Sequence, residues 1–127
     1  MRPFARSVLH VGSVRLDGNR MAKSTGNLVL VSELLAKYPP AVLRLLLVDR
    51  PWAQPWDFAP SGLDAAAERL QRLYAAAARG AGAGGPAATG AVTAALLADL
   101  DVPTALDVAE QAGGDAARLA LSVLGLG

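Results

Sequence analysis

The chain has 127 residues, enough for one ordinary domain. Alanine and leucine fill 48 positions and apolar residues make up 53%, which favours helices and excludes general disorder. Alternating Val/Ile/Thr runs are nearly absent, which excludes an all-β fold, and a formal net charge of +1 does not mark a nucleic-acid binder.

In chain order, residues 8–16 (VLHVGSVRL) predict a short β-like stretch, and Asp17-Gly18 predicts the turn that follows it. The polar, small-residue segment 19–27 reads as a loop. Leu28 to Val31 (LVLV) is short and apolar, as a buried strand would be, and Ser32 has the chemistry of an N-cap for a short helix SELLAKY. Pro39-Pro40 ends that helix, and Pro40 opens the next, with Leu43, Leu46 and Leu47 at helical spacing. Pro51, Pro55 and Pro60 predict an irregular connector that carries Trp52, Trp56 and Phe58.

The clearest helix starts at Ser61, with Ser61 and Asp64 approximating a capping box. Leu63, Ala66, Leu70, Leu73, Tyr74 and Ala77 form its apolar face, and Glu68–Arg72 is a supporting pair. Arg79 to Gly90 is dense in glycine and reads as a flexible linker without helix. Three helical segments follow, GAVTAALLADL, PTALDVAEQA and DAARLALSVLGL, the last two separated by Gly113-Gly114. The expected fold is therefore mainly α: a short N-terminal β-hairpin and loop, then helices.

Cysteine is absent and His10 is the one histidine, so disulfides, Cys nucleophiles, thiolate ligands and His-cluster metal sites are excluded from this chain. The absence of cysteine is compatible with a reducing cytosol. Apolar runs fall far short of the roughly 20 residues of a membrane span, and MRPFARSVLHVG does not read as a signal peptide. His10 is expected to be partly buried and hydrogen-bonded, Trp52 and Trp56 to pack, and Asp99 and Asp101 to be helix-end or surface charges.

Charge is split along the chain. Residues 1–50 carry eight Lys/Arg against three acids, and residues 51–127 four Arg against eight acids. Any anion is therefore expected near the N-terminus. The segment RMAKSTGN, Arg20 to Asn27, sets two cations three residues apart in a loop of small residues. Lys23 is a compact point charge, Arg20 a planar fork, and Ser24, Thr25 and the amides near Gly26 offer further donors, a set that suits a polyphosphate. It is not a Walker A loop, since GxxxxGK[ST] is absent.

Arg20-Met21-Ala22-Lys23-Ser24 resembles the Lys-Met-Ser-Lys-Ser signature of class I aminoacyl-tRNA synthetases. The wider stretch from Leu16 to Phe58 looks like the cysteinyl branch, and FARSVLHVG, SGLDAAAERLQRLYAAA and DLDVPTALDVAE also fit, so the resemblance covers nearly the whole chain. Two members of that branch compete, the cysteine–tRNA ligase and the mycothiol-pathway ligase that couples cysteine to the amine of glucosaminyl-inositol. LVLVSEL after Gly-Asn looks more like the latter, as does a chain without a further anticodon-reading domain.

The resemblance implies roles only at matching positions. Lys23 corresponds to the lysine that stabilises ATP phosphates and departing pyrophosphate during adenylation. Arg20 replaces the signature's first lysine and keeps its charge; Ala22 replaces its first serine and loses a hydroxyl. Ser24 is retained, Met21 shapes the loop by packing, and Val14 falls where the family holds adenine through backbone groups. The ATP-binding set implied is Val14, Arg20, Lys23 and Ser24.

The family also uses a His-Ile-Gly-His-type motif and a zinc site built from thiolate and histidine, for which this chain lacks the residues. The implied division is residues 1–31 as the end of a class I catalytic region, 32–78 as a helical stem-contact-like region, 79–90 as a linker and 91–127 as C-terminal helices. The expected protein is a C-terminal fragment of an ATP-dependent, cytoplasmic, cysteine-activating ligase, inactive alone. Its partners would be ATP, cysteinyl adenylate and a missing catalytic half, with tRNA only for the tRNA ligase. A split subunit and a repurposed helical binding module are the other readings, and an exposed apolar face would favour self-association.

Overall fold

The computed structural model describes residues 4–80 and 85–127. Strand β1 (Val14–Leu16) turns through Asp17 and Gly18, at φ of 51° and 76°, into strand β2 (Asn19–Arg20). Positive φ at both central residues gives the twist that a tight hairpin needs, so the predicted turn forms. A 3₁₀ turn at Lys23–Thr25 follows, then helix α1 (Val31–Leu35) and helix α2 (Pro40–Val48). Strand β3 (Trp56–Phe58) precedes helix α3 (Pro60–Ala78). Helices α4 (Gly85–Leu97), α5 (Val102–Ala112) and α6 (Gly114–Val123) complete the described chain. The fold is mainly α, as expected, with a small sheet at the N-terminal end.

That sheet has the order β2-β1-β3, with β1 antiparallel to β2 and parallel to β3. The connector expected to be irregular thus supplies a strand. Its three residues carry no alternation long enough to read, and Pro55 sits just before it, where a strand tolerates proline. Regular pairing begins only at Val14; before it, Gly12 and Ser13 bond to the connector without forming a ladder. Gly12 fixes that approach. Its amide donates to the Trp52 carbonyl at 2.8 Å, and a β-carbon there would lie 1.9 Å from the Gln54 carbonyl oxygen. Only glycine fits so close a contact between two backbones.

Leu28–Val31 is not a strand. Leu28, Leu30 and Val31 are 41–55% exposed, and no described strand lies beside them to complete a ladder. The N-cap of α1 is Leu30 and Ser32 lies inside the helix. Pro40 opens α2 as expected. Of the leucines assigned to its face, Leu43 and Leu46 are buried but Leu47 is 49% exposed, and Val42 and Leu45 complete the buried set.

In α3, Pro60 takes the first turn after an Ala59 N-cap without a side-chain cap. The expected Ser61–Asp64 box does not form; the Tyr38 hydroxyl donates instead to Asp64 at 2.8 Å. Leu63, Ala66, Leu70 and Leu73 are buried as read, with Ala76 added, whereas Tyr74 lies at the margin with its hydroxyl donating to the Leu126 carbonyl. The glycine-rich expectation is corrected over 85–90, which are helical; residues 81–84 lie outside the described set. Pro86 is in the first turn, where proline costs little, and α4 packs on α5 and α6 through Val92 and Ala95. Gly85 starts the helix at φ 54°, a conformation open to glycine, and tertiary packing outweighs the propensity cost of Gly90. Asp101 caps α5, accepting from the Thr104 amide at 3.2 Å and its hydroxyl at 2.7 Å, so its helix-end role holds.

One core runs through α2, α3, α4, α5 and α6, with Leu45, Leu63, Leu73, Leu106, Leu126 and Val92 fully enclosed. At its edge Arg69 joins three helix segments, with ion pairs to Asp49 at 3.3 Å, Asp107 at 2.6 Å and Glu110 at 3.6 Å. Arg72 also binds Glu110 rather than forming the expected pair with Glu68. Burial pushes the Asp49 carboxyl above its ordinary value although Arg69 pulls it down.

Removing Arg69 therefore strands the Asp49 carboxylate in a poorly hydrated place, while Glu110 keeps Arg72 and Asp107 stays exposed to water. Arg69→Leu is expected to cost about 2 kcal/mol near neutral pH, below the usual penalty for a fully buried pair because the side chains retain some water contact. The sign with pH follows from Asp49. A raised acid favours the folded state when protonated, so its contribution is fully present below the ordinary carboxylate value and is lost as pH rises through the raised one. In the variant that raised value climbs further, so the deficit should shrink on acidification, as urea unfolding across pH will measure.

Candidate functional site

The hairpin aligns three charged residues across the sheet. Arg15 stands opposite Arg20 on β2 and opposite Asp57 on β3. Like charges facing each other across strands repel. Arg15 is compensated by Asp57, to which its Nε donates at 3.0 Å, and Arg20 has no such partner among the described residues.

The chain then enters the 3₁₀ turn. The Thr25 amide donates to the Ala22 carbonyl and the Gly26 amide to the Lys23 carbonyl, each at 3.2 Å. Gly26 closes the turn in the left-handed region at φ 68°, a conformation that costs most other residues about 1–2 kcal/mol. The loop's ends are tied by Asn27. Its Oδ1 accepts from the Ala22 amide at 2.8 Å, and its Nδ2 donates to the Arg20 carbonyl at 3.1 Å. The Thr25 hydroxyl lies 2.6 Å from the same Oδ1 and 2.9 Å from the Ala22 carbonyl, and shares its one proton between them.

The loop thus brings Arg20, Met21, Ala22, Lys23 and Ser24 onto one short closed segment. Met21 and Ala22 are half-buried, while Arg20, Lys23 and Ser24 are exposed. Their three side chains enter no hydrogen bond or ion pair among the described residues. Two cations and a hydroxyl are left open to solvent, an arrangement able to receive a polyanion. Thr25 and the Gly26 amide, expected as further donors, are spent inside the loop. Val14 lies half-buried on β1 beside Trp56 and is separated from the loop by Arg15, Leu16 and the turn.

The other expected residues sit apart. His10 is exposed rather than partly buried, because residues 4–10 run along the surface. Trp56 packs under the Arg50 guanidinium, 3.5 Å from its ring centre, and the Trp52 indole N–H donates to the Asp99 carbonyl at 2.8 Å. These contacts tie the sheet to α2 and to the α4–α5 turn. The donor set does not fit zinc: there is no cysteine, His10 is the sole histidine, and no three His, Asp or Glu side chains cluster among the described residues. No described helix is long and apolar enough to cross a membrane. Asn27 is the loop residue that composition did not single out; its signal is the carboxamide placed directly after the turn-closing Gly26.

A family profile described as the catalytic domain of class I (C) tRNA synthetases matches residues 2–68, which include the sheet, the loop and the first helices. The chain is also similar to L-cysteine:1D-myo-inositol 2-amino-2-deoxy-alpha-D-glucopyranoside ligases. It is 44% identical to that of Thermobispora bispora over 104 residues, covering 82% of this chain and 26% of the relative. The corresponding values are 46% over 106 residues, 83% and 25%, for Kineococcus radiotolerans. For Frankia casuarinae they are 44% over 107 residues, 84% and 23%. The chain spans about a quarter of the length of these relatives and corresponds to their C-terminal part. By its matched segment and these identities, the chain belongs to the family of class I (C) tRNA synthetase catalytic domains.

Proposed function

We propose that this chain is the phosphate-handling and helical part of an ATP-dependent ligase that activates cysteine and transfers it to the amine of glucosaminyl-inositol, a step of mycothiol biosynthesis. The observation that carries the reading is the closed loop that leaves Arg20, Lys23 and Ser24 open to solvent. In the proposed reaction the cysteine carboxylate attacks the α-phosphorus of ATP, the bond to the leaving pyrophosphate breaks, and cysteinyl adenylate forms. The acceptor amine then attacks the cysteinyl carbonyl and releases AMP. Lys23 stabilises charge that gathers on the departing pyrophosphate, Arg20 bridges phosphate oxygens, and Ser24 donates a hydrogen bond. Val14 contributes backbone groups to the adenine.

The acceptor in the relatives' names favours glucosaminyl-inositol over tRNA. In this reading, residues 1–31 close a catalytic region, 32–78 form the helical region beside it, the linker lies within 79–90, and 91–127 complete the bundle. The cysteine-gripping zinc and the remaining ATP-handling motif belong to the rest of a class I catalytic region, and this chain supplies no step through zinc. Exposed Val8, Leu9, Val11, Leu28, Leu30 and Val31 give such a region an apolar surface to meet, or promote self-association without it. The compartment proposed is the cytoplasm.

Titration of the purified chain with pyrophosphate tests the loop assignment. Lys23→Ala is expected to weaken binding by about tenfold or more, the worth of one charge-assisted contact. Equal affinity of the two proteins refutes it.

A further inference from the structure

We infer that Asn27 is a positioning residue for phosphate binding: its side-chain amide holds the Arg20–Asn27 loop in the shape that presents Lys23 and Ser24. The inference rests on the phosphate reading of the loop and adds a residue that touches no phosphate itself.

The geometry fixes the orientation of the carboxamide. The atom facing the Ala22 N–H must be the oxygen, because it receives a proton, and the atom facing the Arg20 carbonyl must be the nitrogen, because it gives one. The opposite flip would set two donors and two acceptors against each other. Asn27 therefore joins the backbone on both sides of Met21, and through its Oδ1 also meets the Thr25 hydroxyl across the turn. The backbone bonds from Thr25 to Ala22 and from Gly26 to Lys23 close only the turn itself. They do not attach it to β2. Among the described residues the side chain that does is Asn27, by its bond to Arg20, the last residue of that strand.

This attachment matters because the loop carries two long cationic side chains without protein partners among the described residues. Their mutual repulsion and chain entropy both favour an open segment, and a polyanion would then have to order the loop as it binds. Asn27 meets that ordering cost in advance. A shorter or apolar side chain cannot, and aspartate retains only the accepting half of the arrangement. Asn27 is half-buried at the rim of the sheet and outside the helical core, so its loss should leave global stability nearly intact.

The experiment compares the full chain with Asn27→Ala, Asn27→Asp and Lys23→Ala. Amide exchange at Ala22, thermal unfolding and pyrophosphate titration are read for each. Asn27→Ala is expected to speed Ala22 exchange by about tenfold or more and to weaken pyrophosphate binding by about tenfold, the value of one or two hydrogen bonds, with an unchanged melting midpoint. Asn27→Asp keeps the accepting oxygen and should restore slow exchange at Ala22. Unaltered pyrophosphate affinity in Asn27→Ala overturns the inference, as does Ala22 exchange that stays slow. If affinity falls in Lys23→Ala but not in Asn27→Ala, the phosphate reading survives and the positioning role alone is lost. If Lys23→Ala binds as the unchanged chain does, the phosphate reading fails and this inference with it.

Discussion

Leu73→Ala should lower the stability of the chain by about 3 kcal/mol, within the range of about 2–5 kcal/mol for a leucine truncated in a packed core. Leu73 is fully enclosed. It lies in α3, the helix that packs on α2, α5 and α6, so the lost side chain faces several elements that cannot all move inward together. Part of the cost is the lost transfer of apolar surface from water, and the rest is the void that remains. Leu47→Ala is the matched control. Its side chain is 49% exposed on α2, and its truncation should stay within about 0.5 kcal/mol. Urea unfolding followed by helical circular dichroism reads both. A Leu73→Ala loss no larger than that of Leu47→Ala would contradict the core assigned here.

The two leucines also show what the sequence could and could not carry. In α3 a long run with polar interruptions exposes its period, so Leu63, Ala66, Leu70 and Leu73 were legible as one face. In α2 the run Leu45-Leu46-Leu47 is apolar on every side, and periodicity alone does not say which of the three points outward. The same ambiguity applies to Leu28–Val31: an apolar run has the pattern of a buried strand, yet no strand pairs with it among the described residues.

Local chemistry was more reliable where a single residue imposes it. Pro40 begins α2, Asp101 caps α5, and Asp17-Gly18 turns the hairpin. Features that depend on distant partners were not legible. β3 exists because β1 pairs with it from 42 residues away, measured between Arg15 and Asp57, and α4 begins inside a glycine-rich stretch because α5 and α6 cover it. Ser61, Asp64 and Glu68 had the spacing for local pairs, yet Asp64 serves Tyr38 and the arginines of α3 turn to α5.

For the loop, the residue types of Arg20, Lys23 and Ser24 were plain in the sequence, as was their match to a known signature. Their exposure was not, nor was the use of Thr25 within the loop, because both follow from how Asn27 folds back on Ala22 and Arg20. His10 shows the opposite error: a residue type with rich chemistry lies on an exposed segment.

The other large effect concerns the reaction itself. In the proposed reaction pyrophosphate would leave with negative charge that grows toward the transition state, and a lysine poised there would lower the barrier more than it strengthens ground-state binding. Loss of one such stabilising group typically slows catalysis by about 10²–10³-fold. The Lys23 side chain stands free of competing carboxylates among the described residues, so nothing in the loop would offset its removal.

The direct measurement is cysteine-dependent exchange between pyrophosphate and ATP. It should be made on the Kineococcus radiotolerans ligase with its matching C-terminal segment replaced by this chain, with and without Lys23→Ala, and on this chain alone. Exchange by the first chimera, a loss of about 10²–10³-fold on Lys23→Ala, and none from the isolated chain are expected if Lys23 serves the departing pyrophosphate. Equal exchange by the two chimeras, or rapid exchange by the isolated chain, would contradict this reading.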